Sequence, residues 1–366
     1  MKVVLVHDWL IHMRGGERVL EALAEIWPEA PVYTLFYDRS RLSPVFQNRR
    51  IHASFLNRLP GIRRYYRWLL PVLPRVIKTL RLEPCDLVVS TSHCVAKAVT
   101  VPAGARHLCY CHTPMRYLWG FGETYFGGMS AVVKPLLNVI LDRLRVWDAG
   151  PSNRGVDRFI ANSSNVAARI LKHYGRTSEV IHPPVDASFF HPGEAREDFY
   201  LVVSAFVPYK KVDLVIEAFN ALDRPLKIVG SGPLEARYRS LAKSPKIEFL
   251  GAVSDDSLRV LHARAKALIF PTDEDFGIVP LEAQAAGTPV LALKRGGALE
   301  SVRTGLFFDE QTPESLRDAV RRFETMSFDA AETARRVQDF DRSRFKQKMT
   351  AAAQALAENQ HGHPQK

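Results

Sequence analysis

The second half of the chain alternates short apolar runs with segments whose apolar residues recur every three or four positions. Each run has the length and flanks of a buried strand, and each intervening segment has the periodicity of an amphipathic helix. Regular alternation of this kind predicts a parallel, doubly wound sheet. The predicted strands are Tyr200–Ala205, Leu226–Val229, Ile247–Leu250, Ala267–Phe270 and Val290–Ala292, and the predicted helices are Lys211–Leu222, Asp255–Ala265 and Ile278–Ala286.

The first half opens on the same pattern. An apolar run at Lys2–Val6 is followed by a loop that ends in Gly15-Gly16, and then by a helix over Glu17–Ile26. Apolar residues fall at helical spacing within that helix. Further predicted strands are Leu87–Ser90, Val99–Val101, Arg106–Tyr110, Arg158–Ala161 and Glu179–Ile181, and further predicted helices are Tyr65–Leu82, Val132–Val146, Ser164–Tyr174 and Arg342–Glu358.

Length divides these elements between two domains. A chain of 366 residues is too long for one ordinary core. The polar stretch Pro192–Asp198 is predicted to be the linker, so the domains are expected at residues 1–191 and 192–341. No apolar run reaches membrane-spanning length, and no signal peptide is visible at the start. Four cysteines suit a reducing compartment, which predicts a cytoplasmic protein.

The formal charge of +11 is concentrated in one segment. From Arg39 to Leu82 there is no Asp or Glu, and the eleven cations of this segment equal the excess of the whole chain. Aromatic and leucine residues are interleaved with the cations between Arg58 and Arg81, as in segments that bind an anionic membrane surface. Two other interpretations are a solvated basic face over an apolar core and a nucleic-acid-binding surface.

Two carboxylates point most directly to function. Glu274 and Glu282 are separated by seven residues in the segment PTDEDFGIVPLEAQAAGTPV. Glu274 follows the predicted strand that ends at Phe270, and Glu282 lies in the first turns of the next helix. Open α/β sheets bind ligands beyond the carboxyl ends of their strands, and a helix start offers N–H groups to an anion. Carboxylates accept hydrogen bonds from hydroxyls, so this arrangement suits a ligand with phosphate and diol groups, such as a nucleotide sugar.

This segment resembles the signature of the family-four glycosyltransferases of the GT-B fold. The resemblance extends along nearly the whole chain and is strongest to bacterial mannosyltransferases of O-antigen and exopolysaccharide assembly. It implies an α/β fold with two Rossmann-like, doubly wound domains facing a cleft, with the last helix crossing back to the first domain. It also implies retaining transfer from a nucleotide sugar without a metal. Mannose from GDP-mannose is the donor expected from the subgroup.

The resemblance also implies roles for individual residues, which are assigned from their positions in the family's motifs. Lys210 should bind the diphosphate, helped by Lys211, because the family's usual arginine is replaced here by Ala205. Glu282 should bind the ribose hydroxyls, and Glu274 the hydroxyls of the transferred sugar. Backbone groups of Phe276 and Gly277 assist Glu274, and four glycines are expected in the loops near the donor, namely Gly15, Gly16, Gly230 and Gly232.

His112, in CHTPMRYLW, is expected to line the cleft beside the transferred sugar, together with Arg116. The loop Gly296-Gly297-Ala298-Leu299-Glu300 resembles one beside the donor. The acceptor is expected to be a saccharide or a lipid-linked saccharide, with the enzyme peripheral on the inner face of the cell membrane. Two alternatives stay open, a GT-B nucleotide-sugar epimerase and a basic nucleic-acid-binding protein. No metal, cofactor or nucleic acid is expected.

Overall fold

The structure is a computed structural model that describes residues 1–120, 134–193 and 195–358. The chain forms two units. The first comprises Met1–Pro183 together with Phe345–Lys366, and the second comprises Pro184–Arg344. In the described ranges, no helix has both the length and the apolar character needed to cross a membrane.

The first unit is built on seven strands: Val3–His7 (β1), Val32–Thr34 (β2), Ile51–Ala53 (β3), Leu87–Ser92 (β4), Arg106–Cys111 (β5), Arg158–Ala161 (β6) and Ser178–Val180 (β7). They form one parallel sheet in the order β3-β2-β1-β4-β5-β6-β7. Successive residues of a strand point to opposite faces, so Val4 and Val6 pack in one apolar cluster and Val3 and Leu5 in another. The chain reverses its direction of winding between β1 and β4.

Helices cover both faces of this sheet. They are Gly15–Ile26 (α1), Pro44–Gln47 (α2), Ile62–Tyr65 (α3), Leu73–Val76 (α4), Lys134–Ala149 (α5) and Ser164–Tyr174 (α6). Ser163 caps α6 by accepting a hydrogen bond from the N–H of Val166. The last helix of the chain, Arg342–Glu358, belongs to this unit from Phe345 onward. It contributes Phe345, Met349 and Ala353 to the same apolar cluster as Leu5.

Two predicted elements of the first unit differ in the structure. The single helix predicted over Tyr65–Leu82 is a series of short turns, because Pro71 and Pro74 cannot continue a helix that precedes them. The strand predicted at Val99–Val101 is absent, and Val99 instead ends a short 3-10 turn over Ala96–Ala98. The predicted start of the helix at Val132 lies outside the described residues, which show this helix from Lys134.

The second unit holds six strands: Tyr200–Val203 (β8), Leu226–Val229 (β9), Ile247–Gly251 (β10), Ala267–Phe270 (β11), Val290–Leu293 (β12) and Gly305–Phe308 (β13). They form a parallel sheet in the order β10-β9-β8-β11-β12-β13. Two doubly wound parallel sheets therefore confirm the predicted fold class. In this sheet the direction of winding reverses between β8 and β11.

The helices of the second unit are Val212–Leu222 (α7), Glu235–Leu241 (α8), Asp255–Arg264 (α9), Ile278–Ala285 (α10), Ala298–Ser301 (α11), Pro313–Phe323 (α12) and Ala330–Arg335 (α13). The helix Arg342–Glu358 is α14. Serine and threonine side chains begin two of these helices. Ser254 accepts from the N–H of Ser257, and Thr312 accepts from the N–H of Ser315.

The predicted linker Pro192–Asp198 lies inside the second unit, which begins at Pro184. The N–H of Glu197 donates to the carbonyl of Arg264 at 2.7 Å, so this stretch is fixed to the second unit by its backbone. The ends of the unit are joined to each other. The N–H of Val185 donates to Phe340 O at 2.9 Å, and the N–H of Arg342 donates to Val185 O at 3.0 Å.

Candidate active site

The two reversal points are where ligands bind in open α/β sheets, in the crevice beyond the carboxyl ends of the strands. In the second unit this point holds Lys210 and Glu274, which form an ion pair between Lys210 Nζ and Glu274 Oε1. The hydroxyl of Thr272 donates to the same oxygen at 3.1 Å. Lys210 and Glu274 line one small pocket with Gly277. Two residues that the sequence predicted separately are thus brought into contact.

Lys210 owes its place to the turn that follows β8. Pro208–Lys210 forms a 3-10 turn, and Lys211 begins α7 in a left-handed conformation with φ of 53°. The side chain of Lys210 is only 18% exposed and points to Glu274. Lys211 is half-buried but is not among the described residues that line the pocket.

Glu282 lies on α10, next to a buried histidine of α9. Glu282 is 19% exposed, and its Oε2 lies 3.9 Å from Nε2 of His262 on α9. His262 is fully buried, and burial lowers its pKa to about 3, so the imidazole is neutral. Gln284 fixes α10 by donating to the carbonyls of Pro280 and Ser301 at 2.8 Å. Glu282 therefore lies on a helix that Gln284 ties to the neighbouring helix at Ser301.

Phe276 and Gly277 connect Glu274 to the start of α10. Phe276 is buried and packs against Phe340, with ring centroids 5.9 Å apart. Its carbonyl already accepts a hydrogen bond from the Ser301 hydroxyl at 3.0 Å. Gly277 is the residue before the first turn of α10 and borders the pocket. The buried side chain of Phe276 thus anchors this loop, which ends at the first turn of α10.

Two glycine-containing loops, at Gly296-Gly297 and at Gly230–Gly232, pack closely against backbone atoms near the candidate site residues. A Cβ on Gly297 would lie 2.1 Å from Phe276 Cα, and the Gly297 N–H donates to Glu274 O at 2.8 Å. A Cβ on Gly230 would lie 1.8 Å from Ser204 O, and one on Gly232 would lie 2.6 Å from Phe206 O. The glycines of this second loop are therefore explained by backbone packing beside Ala205.

In the first unit, Gly15 and Gly16 form the first turn of α1, whereas the sequence placed them in the preceding loop. Gly16 faces His112, because a Cβ on Gly16 would lie 3.5 Å from His112 Nε2. Burial is the largest of the causes that lower the pKa of His112 well below its usual value. The structure thus joins the predicted glycine loop to the predicted histidine.

Sequence reasoning missed three residues at the reversal point of the first unit. His7 ends β1, Asp8 follows it, and His93 follows β4. Asp8 is fully buried, and its carboxylate accepts four backbone N–H groups, those of His93, Cys94, Val95 and Ala96, at 2.6–2.9 Å. A polar His-Asp pair directly after an apolar strand was the signal available in the sequence. In the part of the chain that is described, no group of three or more His, Cys, Asp and Glu residues could hold a metal ion.

Comparisons with known proteins concern the family and the fold of the chain. The Glycosyltransferase Family 4 profile matches residues 13–189, and the Glycosyl transferases group 1 profile matches residues 186–343. A D-inositol 3-phosphate glycosyltransferase of Mycobacterium avium is 32% identical over 175 residues, which are 41% of this chain and 41% of that relative. The enzyme of the same name from Mycobacterium tuberculosis strain F11 is 31% identical over 41% of this chain and 36% of its own. These alignments span less than half the length of the relatives.

Solved structures are similar over almost the whole chain. Sucrose-phosphate synthase of Thermosynechococcus elongatus matches 98% of this chain and 100% of its own, with a TM-score of 0.72 and 19% identity. Anabaena HepE, solved with UDP and glucose, matches 97% of this chain and 100% of its own, with a TM-score of 0.69 and 17% identity. At this level of identity the likeness concerns the fold.

Proposed function

Because this chain belongs to the family-four glycosyltransferases and has their GT-B fold of two Rossmann-like domains, we propose that it transfers a hexose from a nucleotide sugar to a saccharide or lipid-linked saccharide, with retention at the anomeric carbon. The observation that carries this proposal is the Lys210–Glu274 pair at the reversal point of the second unit. One partner suits a diphosphate and the other suits sugar hydroxyls. Because Lys210 and Glu274 are in contact, a single ligand can reach both groups.

The leaving group needs positive charge as the glycosidic bond breaks. Lys210 supplies an ammonium group at this point, and the first N–H groups of α10 add the positive end of a helix dipole. Ala205 carries no positive charge. The second cation proposed to bind the diphosphate is therefore Lys211, the residue after Lys210. The backbone near Gly230 and Gly232 completes the donor site in this proposal.

The remaining groups bind the donor's hydroxyls. Glu282 accepts hydrogen bonds from the ribose, and Glu274 accepts them from the transferred sugar once the diphosphate engages Lys210. Backbone groups at Phe276 and Gly277 assist Glu274. In the first unit, the groups proposed to bind the acceptor are His112 and the turn at Gly15-Gly16, which lie next to each other.

The donor is proposed to be GDP-mannose, which rests on the subgroup resemblance. Solved relatives differ in their nucleotide: HepE is solved with UDP, and starch synthase IV of Arabidopsis thaliana with ADP. A panel of GDP-, UDP- and ADP-sugars with nucleotide release monitored tests this assignment. Release from GDP-mannose should exceed release from the other donors, and the product linkage by NMR should keep the donor's anomeric configuration. Activity abolished by EDTA and restored by magnesium, or an inverted linkage, would contradict the proposed mechanism.

The enzyme is further proposed to work at the inner face of the cell membrane. The segment Arg58–Arg81 buries Ile62, Leu70 and Leu73 in the core, which fits the solvated-face interpretation in part. It also exposes Trp68 to 71%. A groove beside it is lined by apolar side chains and edged by a cation: Phe55, Leu56, Leu59, Leu69, Val72 and Arg75. Exposed apolar surface among arginines supports a membrane contact.

A further inference from the structure

A buried histidine of the second unit lies where α9 approaches α10. His262 is near the end of α9, and its side chain has no exposed surface. The ring of Phe190 meets the imidazole edge-on at a centroid distance of 5.8 Å. The backbone carbonyl of His262 accepts a hydrogen bond from the Thr288 hydroxyl. Neighbouring segments thus hold both the ring and the backbone of His262 in place.

The two ring nitrogens distinguish His262 from a histidine that only packs. Both are buried, and within the described ranges neither has a hydrogen-bond partner. A neutral imidazole carries one donor and one acceptor, and buried polar atoms without partners call for an explanation. Burial alone does not leave such nitrogens unpaired. His107 is equally buried, yet its ring nitrogens lie 2.7 Å from the Ser90 hydroxyl and 2.9 Å from the Gly155 carbonyl.

The carboxylate of Glu282 is within reach of one of these nitrogens. Glu282 Oε2 lies 3.9 Å from His262 Nε2, whereas a hydrogen bond needs about 2.7–3.2 Å between the heavy atoms. A shift of about 1 Å therefore forms the bond. Hydrogen bonds to neighbouring segments hold both helices, so the shift is expected in the side chain of Glu282, which is 19% exposed.

We propose that His262 is a positioning residue for Glu282. Its Nε2–H donates to Glu282 Oε2 when the nucleotide binds, which leaves Oε1 to accept hydrogen bonds from the ribose hydroxyls. This inference rests on the proposed function, in which Glu282 binds the ribose. His262 does not touch the ligand and acts only through the direction in which the carboxylate accepts. It should therefore affect recognition of the ribose and leave recognition of the diphosphate unchanged.

A neutral ring suits this role. Burial lowers the pKa of His262 to about 3, so the imidazole keeps one N–H and one lone pair at neutral pH. A carboxylate acceptor selects the tautomer with its proton on Nε2. The donated hydrogen bond then orients the carboxylate without placing a positive charge beside it.

Binding of free nucleotides tests the proposal. The probes are whichever of GDP, UDP and ADP binds the wild type most tightly, and the 2′,3′-dideoxy form of the same nucleotide. By calorimetry we expect the wild type to prefer the ribonucleotide about ten-fold, because the dideoxy form forfeits one or two hydrogen bonds. His262→Phe should lower this preference to about threefold or less, with affinity for the dideoxy form unchanged within about twofold. His262→Gln, whose amide keeps a donor, should retain most of the preference.

The matched control is Tyr200→Phe, which also replaces a buried polar ring of the second unit by phenylalanine. The Tyr200 hydroxyl pairs with Glu324 at 3.3 Å, and its ring belongs to a different apolar cluster from Ala283 of α10. This variant should keep the preference of the wild type for the ribonucleotide.

NMR of the wild type with ¹⁵N-labelled histidine gives a second measurement, which does not depend on the folding of His262→Phe. The ribonucleotide should move the ring N–H proton of His262 downfield as the hydrogen bond forms, and the dideoxy form should not. The signal is assigned by its loss in His262→Gln. A ring signal that ignores the ribonucleotide would overturn the proposal.

The binding results separate the possible failures. An unchanged ribose preference in His262→Phe, or equal weakening of both nucleotides, would assign His262 to packing and overturn the proposal. Loss of the preference in Tyr200→Phe as well would do the same. A wild type without any ribose preference would remove this inference, while nucleotide release from sugar donors would still support the transferase. No release from any donor, with the ribose preference still lost in His262→Phe, would remove the transferase and keep His262 as the positioning residue of a nucleotide site.

Discussion

Lys210 and Glu274 neutralise each other in the structure, so a bound diphosphate must compete for the ammonium group. We expect Lys210→Ala to lower kcat about a hundred- to a thousand-fold, or about 2–4 kcal/mol, because the lost contact strengthens as the diphosphate departs. Steady-state kinetics with the preferred donor measure the effect. The matched control is Lys246→Ala, an exposed lysine of the same unit that pairs with Asp223. Near-normal turnover in Lys210→Ala would move the role to another cation, with Lys211 the first to examine.

Buried histidines should make the fold sensitive to acid. Burial holds the pKa of His7 and His262 at about 3 and that of His107 at about 4, against 6.5 in an unfolded chain. Between about pH 6.5 and pH 4 the unfolded state therefore binds more protons, so the free energy of unfolding falls as the pH falls. Each histidine should cost about 2 kcal/mol between pH 7 and pH 5. Urea unfolding at both pH values measures this loss. His262→Phe should shrink it by one histidine's share, and an unchanged loss would contradict the assignment.

At the residue scale, the sequence located the candidate residues of the second unit better than those of the first. Lys210, Glu274 and Glu282 lie in segments where strand, loop and helix follow each other directly, so their placement is local. The partnership of Asp8 with the backbone of Cys94 joins residues 86 positions apart. Nothing in the neighbourhood of either residue encodes that pairing, because it depends on β1 and β4 lying side by side.

Among the elements, the Gly296-Gly297 turn governs the position of the loop that carries Glu274. A side chain on Gly297 would collide with Phe276 Cα and with Asp275 O, at 2.1 and 2.5 Å. We expect Gly297→Ala to displace this loop, to destabilise the second unit by about 1–3 kcal/mol and to raise donor KM about ten-fold or more. Thermal unfolding and donor kinetics measure the two effects. Gly155→Ala is the control, since its Cβ would meet only Val101 Cγ2, at 3.9 Å. Equal behaviour of the two variants would refute the steric argument.

Regular elements were predictable where one periodicity dominates. The strands of the second unit from Tyr200 to Leu293, and its helices α7, α9 and α10, were predicted within a few residues, since apolar strands alternate there with amphipathic helices. The segment Tyr65–Leu82 was not, because its leucines satisfy helical spacing while its prolines break the backbone. Short strands such as β2 and β3 have three residues each and give too little pattern to detect.

At the scale of the whole molecule, we expect the excess of positive charge to cause binding to anionic membranes. Arg63 already pairs with Asp38 at 2.5 Å, so the exposed residues Arg58, Arg64 and Arg75 are better targets. Each cation near an anionic surface contributes about 1 kcal/mol. Wild type should co-sediment with anionic but not with neutral vesicles, and less so as salt rises. The triple reversal of these three arginines to Glu should stay in the supernatant while still binding nucleotide.

The matched control for this experiment reverses three exposed arginines of the second unit, Arg321, Arg322 and Arg335, to Glu. It changes the net charge by the same amount, so it should still pellet if the contact is local to the first unit. Equal loss of binding in both triple variants would show a response to net charge alone. Equal pelleting of the wild type and the first triple variant would leave the segment Arg58–Arg81 without a membrane role.

The return of the chain to the first unit at Phe345 sets an order for biosynthesis. A ribosome has made every residue of the second unit before Phe345, Met349 and Ala353 are available to the apolar cluster around Leu5. The unit that starts first is thus completed last, and a nascent chain carries an uncovered apolar face until α14 emerges. Chains that stop short of Phe345 should therefore be held by chaperones or degraded, even though their second unit is whole.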